Sequence, residues 1–588
     1  MKADGIELET GDIVYFEDKD APHVSNAKAG EVLLVEEVDK DGNPSKWSTS
    51  DIIGRSLDDI YSNIVTKSNI NDKFKEWWGK ADTGEQTKTE LLSRWFNLLQ
   101  DPKIYGVKLP LFSHSQITDG ELECDSISLG VCTPSTETDP GVDNFKNEPA
   151  FWTVEVEYEI DANGEIEIKT VSGIDASYTR KGKNGMVGVA QKSAWLYEYF
   201  DATHRHTRYS VTRQDGYTPL PECVSPVNNG LRPFMVHAKY GGGLDANGIP
   251  TSATGLAPMN YTRSHNSQIS EWRKRGANYS GMSGCDNVFR QLMFELKYAK
   301  KGNSGTMEGC SSYNFQYTVA VSETNVERVI LTTAQAANIE VGSWCIVGYN
   351  GSNSIDRNSS PMYSICKNVQ VVSKENVTID GTMYVALNLD NKGTKFDTVA
   401  GTTYFSTMPW GSGSCDNVLS VDGSRHNTNG HFPFVIQGLE TQNGAYVVLA
   451  DVISSETITD TNHTITPKIC RLAKNIATSV TENYHDGTSF TVESTSGSWL
   501  YNQDRSLEDE CIVPLKVGGA AGSSNGMRSA TYTPHSNGFF EWLSWFVLNL
   551  GGVCGVSGAN LNFGLANAHW RVESGSPGSG ANRGEWAE

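Results

Sequence analysis

The 588-residue sequence has no apolar run of the roughly 18 residues that a membrane-crossing helix requires. Its most apolar stretch, Trp542 to Val556, is short and interrupted by Asn549, Gly551 and Gly552. Membrane insertion is therefore not expected. The opening Met1-Lys2-Ala3-Asp4-Gly5 lacks the apolar core of a secretory signal, so export by that route is not expected either. Basic residues are outnumbered: 48 Lys and Arg stand against 70 Asp and Glu, a formal charge of −22. Such a chain repels phosphate backbones, which argues against a nucleic-acid partner, and the acidic surplus reads first as a solubility device. The 11 cysteines contain no C-x-x-C pair, so the spacing of a zinc knuckle or a thioredoxin site is missing. An odd, scattered set reads as free, mostly buried thiols of a protein folded under reducing conditions. Cys345 and Cys366 are candidates for proximity, but not for a bond that sequence can assign.

Signatures of catalysis are also missing. There is no G-x-S-x-G and no H-E-x-x-H, and Gly241-Gly242-Gly243 lacks the lysine and flanking elements of a phosphate cradle. Asp39 and Asp41 are spaced like the start of a calcium loop, yet the later ligands of an EF-hand are absent, which leaves a hairpin turn. His204 and His206 alternate, so on a strand they share a face and would supply six ligands around a three-fold axis. Arg205 and Arg208 beside them oppose a cation, and a polar loop is the preferred reading. No metal, cofactor or enzymatic activity is expected.

What the chain does have is 57 Gly, 14 Trp, 10% aromatic and 38% apolar residues. That mixture excludes a disordered chain, a coiled coil and a collagen-like fibre. Residues 1–115 open with short β-like stretches. Thr87-Lys88-Thr89-Glu90 is a capping box that starts an apolar stripe of Leu91, Leu92, Trp95, Phe96, Leu98 and Leu99. One short helix cannot bury that stripe alone, so a covering element or a sister subunit is expected. Residues 116–149 read as a linker. Residues 150–228 form a β-rich segment with a hairpin, in which Val154, Val156, Tyr158 and Ile160 alternate before a turn at Asn163-Gly164. Residues 286–301 predict a helix with Val288, Phe289, Leu292, Met293 and Leu296 on one face. Residues 317–405 show repeated two-residue alternation and read as an inserted small β-barrel or sandwich. From Trp542 to Leu548 both faces are apolar, which predicts a central strand covered on two sides. Near the end, Asn560, Asn562, Phe563, Asn567, His569, Trp570, Arg571 and Glu573 combine stacking faces, amides and both charges. That is the composition of an adaptable recognition surface, or equally of an irregular fold with buried aromatics.

A resemblance enters with several ordered patterns. Gly188-Val189-Ala190 and Trp195-Leu196-Tyr197-Glu198-Tyr199 look like a lead-in strand. Asn229 to Phe234 and His237 to Tyr240 look like opening strands, and Gly243 to Gly248, Asn266 to Ile269 and Arg275 to Tyr279 like a first helix and its approach. Asp286 to Gly302, Asn303-Ser304-Gly305, Phe434 to Asp451 with Gly438-Leu439-Glu440-Thr441-Gln442-Asn443-Gly444, Val517-Gly518-Gly519 and Gly551-Gly552 complete the set. From about residue 185 onward the chain resembles tailed-phage tail fibres and tropism determinants with a C-type-lectin-like fold. Those proteins are related in fold to the formylglycine-generating enzymes and to the variable proteins of diversity-generating retroelements. Two features depart from the pattern. The end of the chain is not a run of asparagines, and Cys554 stands alone where the formylglycine-generating enzymes use a reactive pair.

The resemblance implies a multidomain, β-rich α+β protein whose C-type-lectin-like domain is split into 229–316 and 406–588 by the insert. It implies a virion protein made in the host bacterial cytoplasm, usually a homotrimer, attached to other virion proteins through its N-terminal region. Its C-terminal domain would touch a host cell-surface glycan or protein. The alternative is a capsid or tail decoration protein whose lectin-like fold serves packing only.

Overall fold

The computed structural model describes residues 13–15, 32–38, 44–48, 70–260, 263–349, 357–459, 462–473, 483–492, 499–518, 530–532, 536–550 and 555–587. Asp39 to Asn43, Gly519, Gly551, Gly552 and Cys554 lie outside these residues. The chain forms two compact units, 1–100 and 101–588. It is β-rich, with several sheets and few helices.

In the first unit Ile13–Tyr15, Val32–Val38 and Pro44–Ser48 make an antiparallel three-stranded sheet. Two helices, Ile70–Ala81 and Lys88–Leu98, follow. The second begins with the capping box: Thr87 Oγ1 accepts from Glu90 N at 3.1 Å, and Thr87 N donates to Glu90 Oε2 at 2.8 Å. Its apolar stripe is buried, and the preceding helix packs on Trp95. Phe74 and Trp77 bring their rings within 5.2 and 5.5 Å of Trp95, and all three are buried.

The second unit begins earlier than residue 116. Strand Tyr105–Pro110 pairs with His204–Ser210 in a five-stranded sheet that also holds Thr218–Pro219, Trp195–Phe200 and Glu121–Cys124. Residues 116–149 are not a free linker. Phe145 is buried against Tyr105 and Phe151, and Ser135 Oγ donates to Asp422 O. No boundary falls at 228 either, because Phe234–Ala238 pairs with Met186–Lys192 in a four-stranded sheet completed by the 153–160/166–171 hairpin. The reason is shared: each proposed cut would split a hydrogen-bonded sheet or expose a buried ring.

Residues 316–407 form a six-stranded half-barrel in the order Gln316–Thr318, Tyr404–Thr407, Trp344–Gly348, Cys366–Ile379, Thr382–Leu389, Arg328–Thr332. Ala320 N donates to Ile330 O at 2.8 Å and draws the two ends together. Val329, Leu331, Val371 and Leu387 fill its interior with the alternation read in the sequence, whereas in Trp344–Gly348 the inward residues are Cys345 and Val347 and not Trp344 and Ile346. Cys345 and Cys366 lie on neighbouring strands as free, buried thiols.

The largest sheet has ten strands among the described residues. Its axis is the long strand Tyr446–Ile458, which pairs antiparallel with His463–Ile469 and Gly538–Trp545 and parallel with Val572–Ser574. Residues 541–548 are all buried, so the doubly covered segment is present. The strand itself stops at Trp545, whose φ of 62° turns the chain out of the sheet, and Phe546 to Leu548 belong to the loop beyond it.

The helix Gly284–Tyr298 differs most from expectation. Sequence periodicity gives it one apolar face, yet all fifteen residues are buried. Three of its four charged residues are neutralised in place, and the fourth, Arg290, donates to Asp286 O and Ala238 O. Asp286 meets His237 Nδ1 at 2.7 Å. Glu295 takes Arg205 at 2.6 Å and also Arg505. Lys297 reaches Asp422 at 2.6 Å and Asp143 at 3.0 Å. The helix ends one turn early because Ala299 adopts φ 50°, the left-handed cap. Replacing Glu295 by Ala removes the carboxylate shared by two buried guanidiniums. Chemical denaturation of Glu295→Ala should show a loss of about 3–5 kcal/mol; a loss below about 1 kcal/mol would show that the cluster does not hold the helix.

Candidate recognition face

The C-terminal residues singled out by composition lie where the ten-stranded sheet turns over its last loops. Strand register sets a row of side chains across this sheet. Trp499 stands opposite Tyr532, Tyr532 opposite Asn560, Asn560 opposite Leu543, and Leu543 opposite Val448. Opposed residues share a face and touch. Trp499 and Tyr532 meet edge-on at 5.0 Å, and Trp499 also packs against Phe546 at 5.8 Å. Phe546 adjoins Tyr446 at 6.3 Å, Tyr446 adjoins Phe563 at 6.4 Å, and Phe563 adjoins His569 at 5.9 Å. The result is a continuous aromatic row. Phe546 and Tyr446 are sunk in it, while Trp499, Tyr532, Phe563 and His569 are half-buried and reach the surface.

The loop carrying Phe563 is held by its backbone. Glu541 N donates to Phe563 O at 2.9 Å, Leu561 N to Tyr532 O at 3.0 Å and Asn266 N to Leu565 O at 3.2 Å. A turn closed by Asn567 N on Gly564 O leaves residues 566–568 exposed. Fixed backbone with outward side chains is the arrangement that lets a loop bind without first being ordered.

The expected site residues therefore divide. Asn562, Phe563, Asn567, His569 and Arg571 are exposed or half-buried along the loop. Asn560 is buried in a strand, where its side-chain oxygen accepts from Asn562 N at 3.0 Å. Trp570 is buried, with the Arg357 guanidinium 4.5 Å from its ring centre. Its backbone is bound by Asn358 and Asn260, each at 3.0 Å, which makes it a brace. Glu573 is sealed in the interior and accepts from Asn443 Nδ2 at 2.5 Å. These three are corrections to the sequence reading. Composition does not show that the chain re-enters the sheet at Val572 and stays buried through Arg583.

Burial dominates the electrostatics behind the face. Desolvation pushes the Glu573 carboxyl up to about 8, partly offset by the Asn443 hydrogen bond and reinforced by Glu440 nearby. Glu222 is likewise pushed up to about 8 by burial. His204 and His206 stand on the strand His204–Ser210 and not in a polar loop; His206 faces Glu123 at 2.9 Å and Asp201 at 3.0 Å with its two ring nitrogens, and stacks on Tyr199. His204 Nδ1 is 2.6 Å from Thr203 Oγ1. Both histidines are used within the chain, and among the described residues no group of three or more His, Cys, Asp or Glu is arranged to hold a metal.

Sequence reading missed Trp499 and Tyr532. Each sits on a strand separated by tens of residues from the loop at 561–571, and only the register brings them to Phe563. No family model matches the sequence, and no curated protein is significantly similar to it.

The raised carboxyl gives a signed expectation. Unfolded, Glu573 loses its proton near 4.5; folded, it keeps it to about 8. The folded state binds more protons in that window, so this contribution is complete below it and declines as pH rises through it. Melting temperatures taken from about pH 5 to about pH 8 should fall less steeply in Glu573→Gln than in the parent. Parallel curves would mean that Glu573 ionises normally.

Proposed function

We propose that the chain is a receptor-binding subunit of a tailed-phage particle, which contacts a bacterial surface glycan or protein through the C-terminal face. The observation that carries the recognition role is the row of half-buried aromatics, Trp499 and Tyr532 on paired strands and Phe563 and His569 on the backbone-bonded loop beside them, bordered by Asn562, Asn567 and Arg571. Aromatic faces offer large contact area at small entropic cost, and amides supply directional hydrogen bonds. This pairing suits a saccharide, which has apolar C–H faces and hydroxyl edges. No bond-making chemistry is assigned to the face.

The C-type-lectin-like reading of the body is part of the same proposal. It is supported by the way the chain's last segment returns to the strand that opens the domain. Val236 N donates to Ser579 Oγ at 2.7 Å, and Arg232 donates to Ser579 O and Asn582 O at 3.1 and 2.9 Å. Attachment to the particle through the N-terminal unit and assembly as a homotrimer complete the proposal and follow from the resemblance. A packing role would require the same aromatic row to be covered by a neighbouring particle subunit.

Binding of purified full-length chain to host cells tests it. The double variant Phe563→Ala, Asn567→Ala should weaken binding by at least about tenfold with unchanged melting temperature. Unchanged binding would overturn the assignment of this face. Trp570→Ala behaves differently: it removes a buried brace and should cost about 3–5 kcal/mol of stability, visible in thermal melts before any binding assay.

A further inference from the structure

A concavity, distant in sequence from the C-terminal loop, lies where the inserted half-barrel meets the body of the larger unit. It encloses about 300 Å³. That is the lower end of the range for small-molecule sites, room for one ring-sized ligand. The half-barrel contributes Trp344 and Gln370, the body contributes Ser414, Asn417 and Arg425, and the 116–149 segment contributes Glu137.

Its floor is the run Gly411-Ser412-Gly413-Ser414, and the glycines are there for closeness. A Cβ at Gly411 would stand 2.2 Å from Leu256 O and 2.4 Å from Trp344 Nε1; one at Gly413 would stand 1.9 Å from Thr254 Oγ1. The loop is pinned from below. Ser412 Oγ donates to Ala253 O and accepts from Leu256 N at 3.0 Å, while Gly413 N and Cys415 N both donate to Glu440 at 3.2 Å. The cavity is thus shaped before any ligand arrives, which lowers the entropic cost of binding.

The lining chemistry selects a ligand class. Arg425 is the cation of the wall, and it is compensated: its Nε lies 3.2 Å from Glu137 Oε1, and one terminal nitrogen donates to Val341 O at 3.0 Å. The guanidinium also lies 4.8 Å from the Phe432 ring centre, which fixes its plane. A site whose one cation and one anion neutralise each other does not favour a phosphate or a carboxylate. It offers a donor and an acceptor side by side, the complement of adjacent hydroxyls. Asn417 is exposed with a free-standing amide, and Gln370 donates Nε2 to Gly342 O, which leaves its oxygen to accept. Trp344 is half-buried and supplies the apolar wall.

We infer that this junction cavity binds a single neutral pyranose sugar, with the ring against Trp344 and its hydroxyls on Arg425, Glu137 and Asn417. The inference goes beyond the reading of the C-terminal face and does not rest on it. Saturation-transfer NMR on the full chain with glucose, galactose and N-acetylglucosamine tests it. Transfer to at least one of the three is expected, with affinity reduced about tenfold in Asn417→Ala and in Trp344→Ala and unchanged in Phe563→Ala. Asn417 is exposed, so its variant keeps the test valid if the tryptophan variant fails to fold. Absence of transfer from all three sugars overturns the inference, as does transfer undiminished in Asn417→Ala. Transfer lost only in Phe563→Ala also overturns it and places the sugar on the C-terminal face instead.

Discussion

The larger unit depends on one helix that has no solvent side. Gly284–Tyr298 carries Asp286, Asn287, Arg290, Gln291, Glu295 and Lys297 into a dry interior, where each charge costs several kcal/mol unless it is paired. The partners come from every direction. Arg205 belongs to the five-stranded sheet, His237 to the four-stranded sheet, Arg505 to the ten-stranded sheet, and Asp143 to the long segment after residue 116. Apolar packing alone would tolerate small shifts among these layers. Charge pairs and hydrogen bonds do not, so the helix fixes the layers in register with one another.

Rigidity at the centre matters at the edge. Asn287 reaches Ser544 Oγ, Val556 O and the Trp545 indole, and so ties the helix to the strand and loops beneath the aromatic row. The row can therefore be displayed on irregular backbone without being loose. The same logic holds at the junction cavity, where a buried carboxylate, Glu440, gathers the glycine-serine loop from beneath. Burial pushes that carboxyl up to about 7, so the anchor is sensitive to pH near neutrality. Both surfaces combine strand and loop residues, and both are fastened to interior groups of high polarity.

Local features were legible in the sequence. The capping box at Thr87, the hairpin around Asn163-Gly164, the alternating strands between 317 and 405 and the doubly covered stretch from Trp542 all depend on neighbours within a few residues. The misread features are long-range. Lys297 and Glu295 look like the solvent face of an amphipathic helix until Asp422 and Arg505 arrive from over a hundred residues away. Trp570 and Phe563 are indistinguishable by composition, and only the return of the chain into the sheet at Val572 makes one a brace and leaves the other at the surface. Trp499 and Tyr532 join the site through strand register, which no single-sequence pattern encodes. The glycines at 411 and 413 carry no local signal of their role, which is to permit the close approach of Leu256, Trp344 and Thr254 in the cavity floor.

The half-barrel is stitched into its host by two strands that are each other's partners: Tyr317 lies opposite Phe405, and Thr407 N donates to Phe315 O at 3.0 Å. Once those strands zip, a detour of about ninety residues is reduced, for the rest of the chain, to a gap of about 4.8 Å. The entropy of closing that long loop is then borne by the half-barrel's own folding and not by the host. The host's two halves meet as though they were contiguous, and the length of the detour hardly affects their docking. A module attached in this way is free to change size or be exchanged over evolutionary time while the body that carries it stays the same.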